Sequence, residues 1–145
     1  MFVNRRKVRI EWGDCDPAGI VYYPRYFAMF DHSTAMLLEA ATGYTKYRMR
    51  EVYDFVGFPM IDTGAKFYIP SKFGDDIVIE STISELGKSS FNIAHKVWKG
   101  DQLAIEAHEK RVWVGKHPDD PAKIKSKPIP DEVANKLREK KTVEV

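Results

Sequence analysis

Residues 24–43 read PRYFAMFDHSTAMLLEAATG. Within this run Phe27, Phe30, Thr34, Leu37, Leu38 and Ala41 return every three or four positions, the period of a helix with one face turned to a core. Pro24 stands in the first turn, where a missing N–H costs nothing, and Gly43 supplies a stop. Ala28, Ala35 and Ala40 fill in with strong helix formers. The spacing predicts one long helix to about Ala41, followed by a shorter helical stretch from Thr45 to Val52.

On the N-terminal side, Lys7-Val8-Arg9-Ile10-Glu11-Trp12 alternates strictly, which predicts a strand with Val8, Ile10 and Trp12 on its inner face. On the C-terminal side come Phe67-Tyr68-Ile69, then Ile77 to Ile83, Ser90 to Trp98 and Leu103 to Val114, all rich in β-branched or aromatic residues. Pro70, Gly74-Asp75-Asp76, Glu85-Leu86-Gly87-Lys88 and Lys99-Gly100-Asp101 mark turns between them. Links this short require antiparallel neighbours, because a parallel pair needs a crossover of a dozen residues or more. Past Gly115 a Pro/Lys/Asp-rich connector leads to Pro130-Asp131-Glu132, the opening of a C-terminal helix to Lys140. The helical stripe must be buried, and a bent antiparallel sheet is the partner on offer. The expectation is an α+β fold over residues 1–145 as a single domain, its long helix lying in the concave face of the sheet. Free sheet edges invite pairing between subunits.

Bulk numbers narrow the function classes. The chain has 145 residues, 43% apolar and 30% charged, with one cysteine. Cys15 has no intrachain partner, no leader-like run opens the chain, and nothing approaches the ~20 apolar residues of a membrane span. A soluble, cytoplasmic protein is expected. Charge is balanced: residues 1–115 carry 15 side chains of each sign, and the net +2 arises in the tail. That leaves no basic face for nucleic acid and no call on a membrane surface. Arg5-Arg6-Lys7 reads as a solvated strand edge.

Gly13 to Pro24, GDCDPAGIVYYP, is the segment where chemistry is concentrated. Two carboxylates, Asp14 and Asp16, sit in a glycine-containing loop just ahead of the long helix. A helix N-terminus offers unpaired N–H groups and partial positive charge, so it can hold a carbonyl oxygen that is gaining charge. A carboxylate opposite those donors can attack the carbonyl or activate water against it. The competing reading is that both aspartates cap the loop, as Asp does in many turns.

The run GDCDPAGIVYYPRYFAMFD closely resembles the signature of the 4-hydroxybenzoyl-CoA thioesterase family, a branch of the hotdog-fold acyl-CoA thioesterases. The likeness continues through Phe58-Pro59, Phe67 with Pro70, Phe73-Gly74-Asp75, Gly87-Lys88-Ser89-Ser90-Phe91 and Pro128-Ile129-Pro130, to about Leu137. It implies a long helix wrapped by a curved antiparallel sheet, as the periodicity does independently. It also implies that Asp16 is the catalytic carboxylate, as nucleophile or general base, and that the Tyr23 amide faces the thioester oxygen. By the same resemblance Asp31 faces a hydroxyl of the substrate, Phe58 borders the acyl group, and Lys88, Ser89 and Ser90 contact the CoA phosphates. The competing readings are a solvated helix carboxylate for Asp31 and a charged hairpin tip for Lys88. The resemblance further implies a homo-oligomer, a dimer or homotetramer, in which CoA reaches a neighbouring chain, with no metal or organic cofactor.

Three departures bear on substrate. Tyr23-Pro24 lacks the nearby histidine of many short-chain members; Lys88 stands alone where the hydroxybenzoyl type has an arginine-rich turn; Phe58 replaces a small polar residue. Within this frame an aromatic acyl-CoA is the expected substrate. Short or branched aliphatic acyl-CoA, a non-catalytic acyl-CoA-binding protein and a hotdog dehydratase are the alternatives, the last wanting a histidine that the loop lacks. Cys15, between two aspartates, is expected to pack rather than react. His32, His95, His108 and His117 lack metal-ligand spacing, and His95, alternating with Ile93 and Val97, reads as a hydrogen-bonded core histidine. GxSxG and P-loop motifs are absent.

Overall fold

The helical period is realised as a 20-residue helix spanning Tyr23–Thr42 in a computed structural model that describes residues 1–145. Gly43 ends it at φ 80°, with its N–H on the Glu39 carbonyl (2.8 Å), a left-handed cap that glycine takes without strain. In chain order the elements are β1 (Val3–Arg9), α1 (Tyr23–Thr42), α2 (Lys46–Val52), β2 (Met60–Phe67), β3 (Asp76–Leu86) and β4 (Ser90–Lys99). They continue with β5 (Gln102–Val112), β6 (Val114–Lys116), β7 (Ile124–Ser126), α3 (Asp131–Arg138) and β8 (Thr142–Glu144). Thr45 caps α2 by accepting the Arg48 amide at 3.2 Å. No helix is long and apolar enough to cross a membrane.

Six strands form one sheet in the order β2-β5-β4-β3-β1-β8, antiparallel except for the short β1–β8 pair. The turns predicted around residues 87 and 100 are the hairpins β3–β4 and β4–β5. Alternation along β3, β4 and β5 buries Ile77, Ile79, Ile83, Ile93, Val97 and Ile105 toward α1. The core is divided along the helix. Its first half, through Tyr26 and Phe30, packs on Ile77, Ile79, Val97 and Ile105. Its second half, through Leu37 and Leu38, packs on Phe91, Ile93, Trp113 and α3. Between them runs a buried polar belt containing Thr34, Ser81, His95, Glu109 and Arg111.

Several expectations are corrected. The first strand begins earlier and stops at Arg9; Ile10 is buried but Trp12 lies in a 3-10 turn (Trp12–Asp14), 76% exposed. Glycine and aspartate after Trp12 favour the turn over a continued strand. Arg6 is not a solvated edge residue, because β8 covers that side of β1. Its guanidinium reaches Ser33 Oγ (2.8 Å) and the Met29 carbonyl (3.1 Å), tying β1 to α1, and burial lowers its pKa. The edge strand is Met60–Phe67 rather than a run centred on Tyr68. Asp62, Thr63 and Gly64 mask it in sequence, and pairing with β5 defines it. The connector after Gly115 folds into the β6–β7 hairpin, and β8 follows α3.

Leu37→Ala removes a side chain of zero exposure from the core and is expected to cost about 2–5 kcal/mol. Trp12→Ala, at the exposed turn, is expected to cost under about 1 kcal/mol despite its edge contact with Phe73. Chemical denaturation of the two variants checks the contrast, and a larger loss at Trp12 would place it in the core.

Candidate active site

The loop between β1 and α1 is closed on itself. Cys15 and Val21 pair as an isolated bridge, the Asp16 amide donates to the Ile20 carbonyl (3.1 Å), and the Gly19 amide to the Asp16 carbonyl (2.9 Å). Gly19 takes φ 83°, which a side chain would resist. The two aspartates do different work. Asp14 Oδ2 accepts the Glu11 amide at 2.9 Å and so holds the 3-10 turn. Asp16 is half-buried; its Oδ1 accepts the Ala18 amide at 2.8 Å, while its other oxygen carries no hydrogen bond. One oxygen therefore fixes the carboxylate and the other is left without a hydrogen bond. Cys15 is half-buried against the core, as a packing residue.

Tyr22 ends the loop, with its amide on the Asp14 carbonyl (2.8 Å), and α1 begins at Tyr23. The first turn of a helix has amides without intrahelical acceptors. Pro24 has none to offer, and the Arg25 amide is taken by the Tyr22 carbonyl (2.8 Å). The Tyr23 amide is left without a backbone acceptor at the positive end of a 20-residue helix. Beside it opens a cleft of ≈ 180 Å³ lined by Ile20, Val21, Tyr23, Tyr26, Phe67, Tyr68 and Ser71. Phe67 packs on Tyr23, Tyr26 and Phe27 with ring centroids 5.8–6.5 Å apart. Asp16 stands next to this cleft, on the loop strand opposite Ile20 and Val21, and is not part of its lining.

The other expected site residues gather elsewhere. Asp31 lies eight residues beyond Tyr23, roughly 12 Å along the helix axis. Its side chain is 57% exposed and one oxygen accepts Arg111 Nη2 at 2.7 Å. Arg111 also donates to Glu109 (2.8 Å) and to the Phe58 carbonyl (3.2 Å). Phe58 is buried against Phe55 and Phe91, with the Lys46 ammonium 4.7 Å and the Arg111 guanidinium 5.7 Å from its ring centre. Asp31, Phe58 and Arg111 border one shallow opening. Lys88, Ser89 and Ser90 form the β3–β4 turn at that end of the sheet. The Lys88 and Ser89 carbonyls accept Ile129 (2.8 Å) and Trp113 (2.7 Å), and the Lys88 side chain is exposed without an ion pair. The Asp16 loop is docked at the start of β3, where Ile10 bonds to Gly74 and Asp75 and Val21 to Ser71. The Lys88–Ser90 turn thus lies about the length of β3 from the Asp16 loop, roughly 30–35 Å for 11 residues, with Asp31 and Phe58 in between.

His95 is buried in the belt, as its alternation suggested. Ser81 Oγ lies 2.7 Å from Nδ1, Thr34 Oγ1 and Glu109 lie 3.3 Å from Nε2, and Phe30 stacks on the ring at 5.1 Å. Glu109 also accepts from Thr34 at 2.5 Å. Burial alone would raise its carboxyl, but hydrogen bonds from His95, Arg111 and Thr34 outweigh this and hold it at about 2. Sequence reading missed Glu109 and Arg111. The signal was there: two charges two residues apart, on the inward phase of β5 set by Ile105 and Ala107. It also missed Tyr26 and Ser71, whose types announce nothing until burial is known. No cluster of three or more His, Cys, Asp or Glu side chains is arranged to hold a metal ion.

Comparison with known proteins gives a consistent result. The family model for the thioesterase-like superfamily matches residues 10–137. The chain is 36% identical over 111 residues to 4-hydroxybenzoyl-CoA thioesterase of Pseudomonas sp. (strain CBS-3), covering 72% of this chain and 78% of that one. The solved structure of that Pseudomonas enzyme superposes with TM-score 0.81 at 29% identity, over 92% of this chain and 98% of the other. A gentisyl-coenzyme A thioesterase superposes with TM-score 0.78 at 29% identity, over 93% and 99%. The α+β fold is accordingly the hotdog fold, with its long helix against a curved sheet.

The depressed Glu109 carboxyl fixes a pH dependence. Its folded value lies below the unfolded one of 4.5, so its stabilisation is present above that value and lost as pH falls toward 2. Glu109→Gln is expected to cost about 3–5 kcal/mol at pH 7 by stranding buried Arg111, and to flatten the fall in Tm between pH 5 and 3. Thermal melts of both proteins across that range test it; parallel slopes would remove Glu109 as the cause.

Proposed function

Because this chain belongs to the thioesterase-like superfamily, we propose that it hydrolyses an aromatic acyl-CoA of the hydroxybenzoyl kind to the free acid and CoA. The observation that carries the reading is the pairing of a half-free Asp16 carboxylate with an unengaged Tyr23 amide at the mouth of a ring-lined cleft. Support for an aromatic acyl group comes from those ring walls and from relatives named for hydroxybenzoyl and gentisyl thioesters.

The chemistry follows from the two groups. The thioester carbonyl oxygen accepts the Tyr23 N–H, and the partial positive charge of α1 favours the negative charge that builds there. The free oxygen of Asp16 either attacks the carbonyl carbon, expelling CoA thiolate and leaving an acyl anhydride for water to cleave, or takes a proton from the attacking water. A helix-end amide is fixed before the reaction starts, so stabilising the oxyanion requires no reorganisation.

One chain does not bring the phosphate-binding candidates to this loop. We place Asp16 and Tyr23 on one subunit and the Asp31–Phe58–Lys88 end on another, with acyl-CoA lying between. β2 is a sheet edge with Met60 and Ile61 exposed at its start and Phe67 and Tyr68 exposed beside the cleft, and a second copy laid on that edge would cover them and close the cleft. Lys88 then acts as a point charge for CoA phosphate, with the Ser89 and Ser90 hydroxyls as further donors.

Asp16→Asn is expected to lower kcat on hydroxybenzoyl-CoA by about 10²–10⁴-fold while calorimetry still detects CoA binding; undiminished turnover would refute the assignment. Single turnover in oxygen-18 water separates the two routes, since label entering Asp16 itself requires the anhydride. Lys88→Ala is expected to raise KM with kcat little changed, because phosphate anchoring contributes equally to ground and transition states. A normal KM would move the nucleotide elsewhere.

A further inference from the structure

Lys99 closes a turn on which the Asp16 loop is hung, and the reaction described gives it no role. The turn runs from Pro70 to Asp75 and leads into β3. Both ends of the Asp16 loop are bonded to it. At one end the Ile10 amide donates to the Asp75 carbonyl (2.8 Å) and the Gly74 amide to the Ile10 carbonyl (2.9 Å); at the other the Val21 amide donates to the Ser71 carbonyl (2.9 Å). Ser71 also lines the cleft beside Tyr23. Within the turn, the Asp75 amide donates to the Lys72 carbonyl (3.0 Å) and Asp75 Oδ2 accepts the Lys72 amide (3.0 Å). Lys99 Nζ bridges the two ends, donating to the Pro70 carbonyl at 2.9 Å and to Asp75 Oδ2 at 3.0 Å. It is the last residue of β4, paired with Gln102 of β5, so the bridge is rooted in the sheet rather than in another loop. The Lys99 and Asp75 side chains are only 26% and 22% exposed. The Lys72 amide first, and Lys99 second, hold the Asp75 carboxyl below its usual range, so the contact is ionic at neutral pH.

We propose that Lys99 is a positioning residue: by tying Pro70 to Asp75 it holds the turn that carries both ends of the Asp16 loop, and so fixes the Asp16 carboxylate relative to the Tyr23 amide. This rests on the thioesterase reading above, in which those two groups act on one carbonyl. They stand on separate supports. Tyr23 opens a 20-residue helix packed on the core, whereas Asp16 sits on a loop whose main-chain hydrogen bonds to the rest of the sheet run through this turn. A lone surface ion pair adds little to overall stability, so the effect expected of Lys99 is geometric. Misplacing a reacting group by about 1 Å can cost about 10²-fold in rate. The contacts expected for CoA lie around Lys88, beyond the other end of β3, and do not involve the turn. Lys99 therefore acts on kcat and leaves KM alone.

The test measures kcat and KM on 4-hydroxybenzoyl-CoA for the native protein, Lys99→Met, Asp75→Asn, their double variant, and Lys96→Met, an exposed lysine of the same strand. Lys99→Met and Asp75→Asn should each lower kcat by about 10–100-fold with KM changed less than about threefold. The double variant should fall no further than the worse single one, and Lys96→Met should match the native protein. Unchanged kcat in Lys99→Met, a rise in KM that accounts for the loss, or losses that multiply in the double variant would each overturn the proposal. Hydrogen exchange reads the bridge without turnover. In Lys99→Met the Ile10, Val21 and Gly74 amides should exchange about tenfold faster or more, with those of α3 unchanged. Native exchange at those three amides, or equal acceleration in α3, would overturn the proposal. An inactive native protein would overturn the thioesterase reading alone, because exchange still decides whether Lys99 holds the loop. Lys99→Met should also melt within about 4 °C of the native protein; a larger fall would make Lys99 a support of the whole fold and overturn the proposal.

Discussion

Glu109 is the residue around which this molecule is arranged. A carboxylate with 1% side-chain exposure is sustained only by what surrounds it, and here Thr34, His95 and Arg111 all converge on it from α1, β4 and β5. The ionic belt fixes where α1 crosses the sheet, since Thr34 must meet Glu109 while Phe30 covers His95. An apolar stripe alone would allow the helix to slide by a turn; a buried charge with three directional partners does not. The idea that buried ionic groups give uniqueness rather than net stability fits this placement.

From that anchor the two ends of the helix acquire separate characters. Toward its N-terminus the core is built of Tyr26, Phe30, Ile77 and Val97, and the sheet edge leaves room for the cleft. Toward its C-terminus Leu37, Leu38, Trp113 and α3 fill the space completely. Arg111 carries the belt outward to Asp31, so the exposed carboxylate on the helix is oriented by a charge network that begins in the core.

The loop ahead of α1 uses backbone geometry where many sites use side chains. Pro24 removes one first-turn amide and Tyr22 occupies another, which singles out Tyr23. Asp14 and Asp16, two residues apart, are separated in role by which hydrogen bonds the loop directs to them: one secures the turn and one retains a free oxygen. The capping reading offered by the sequence holds for Asp14 and, through one oxygen, for Asp16 as well.

The sequence by itself determined the elements whose signals are local. The helix from Tyr23 to Thr42 was legible from its period and its glycine stop, and β3 to β5 from branched side chains between turns. A long motif made Asp16 and Tyr23 the candidates, and the burial of His95 was legible from its strand phase. Where the information is non-local, sequence failed. Met60–Phe67 is a strand because β5 offers it hydrogen bonds, and Arg6 is half-buried because its guanidinium meets Ser33 and Met29 on α1. Only tertiary structure separated Asp16 from Lys88 by a strand's length, paired Asp31 with Arg111, and set Tyr26 beside Ser71. Those relations join residues 45 to 80 positions apart, and no propensity or spacing encodes which distant partner a side chain will meet once the core has closed.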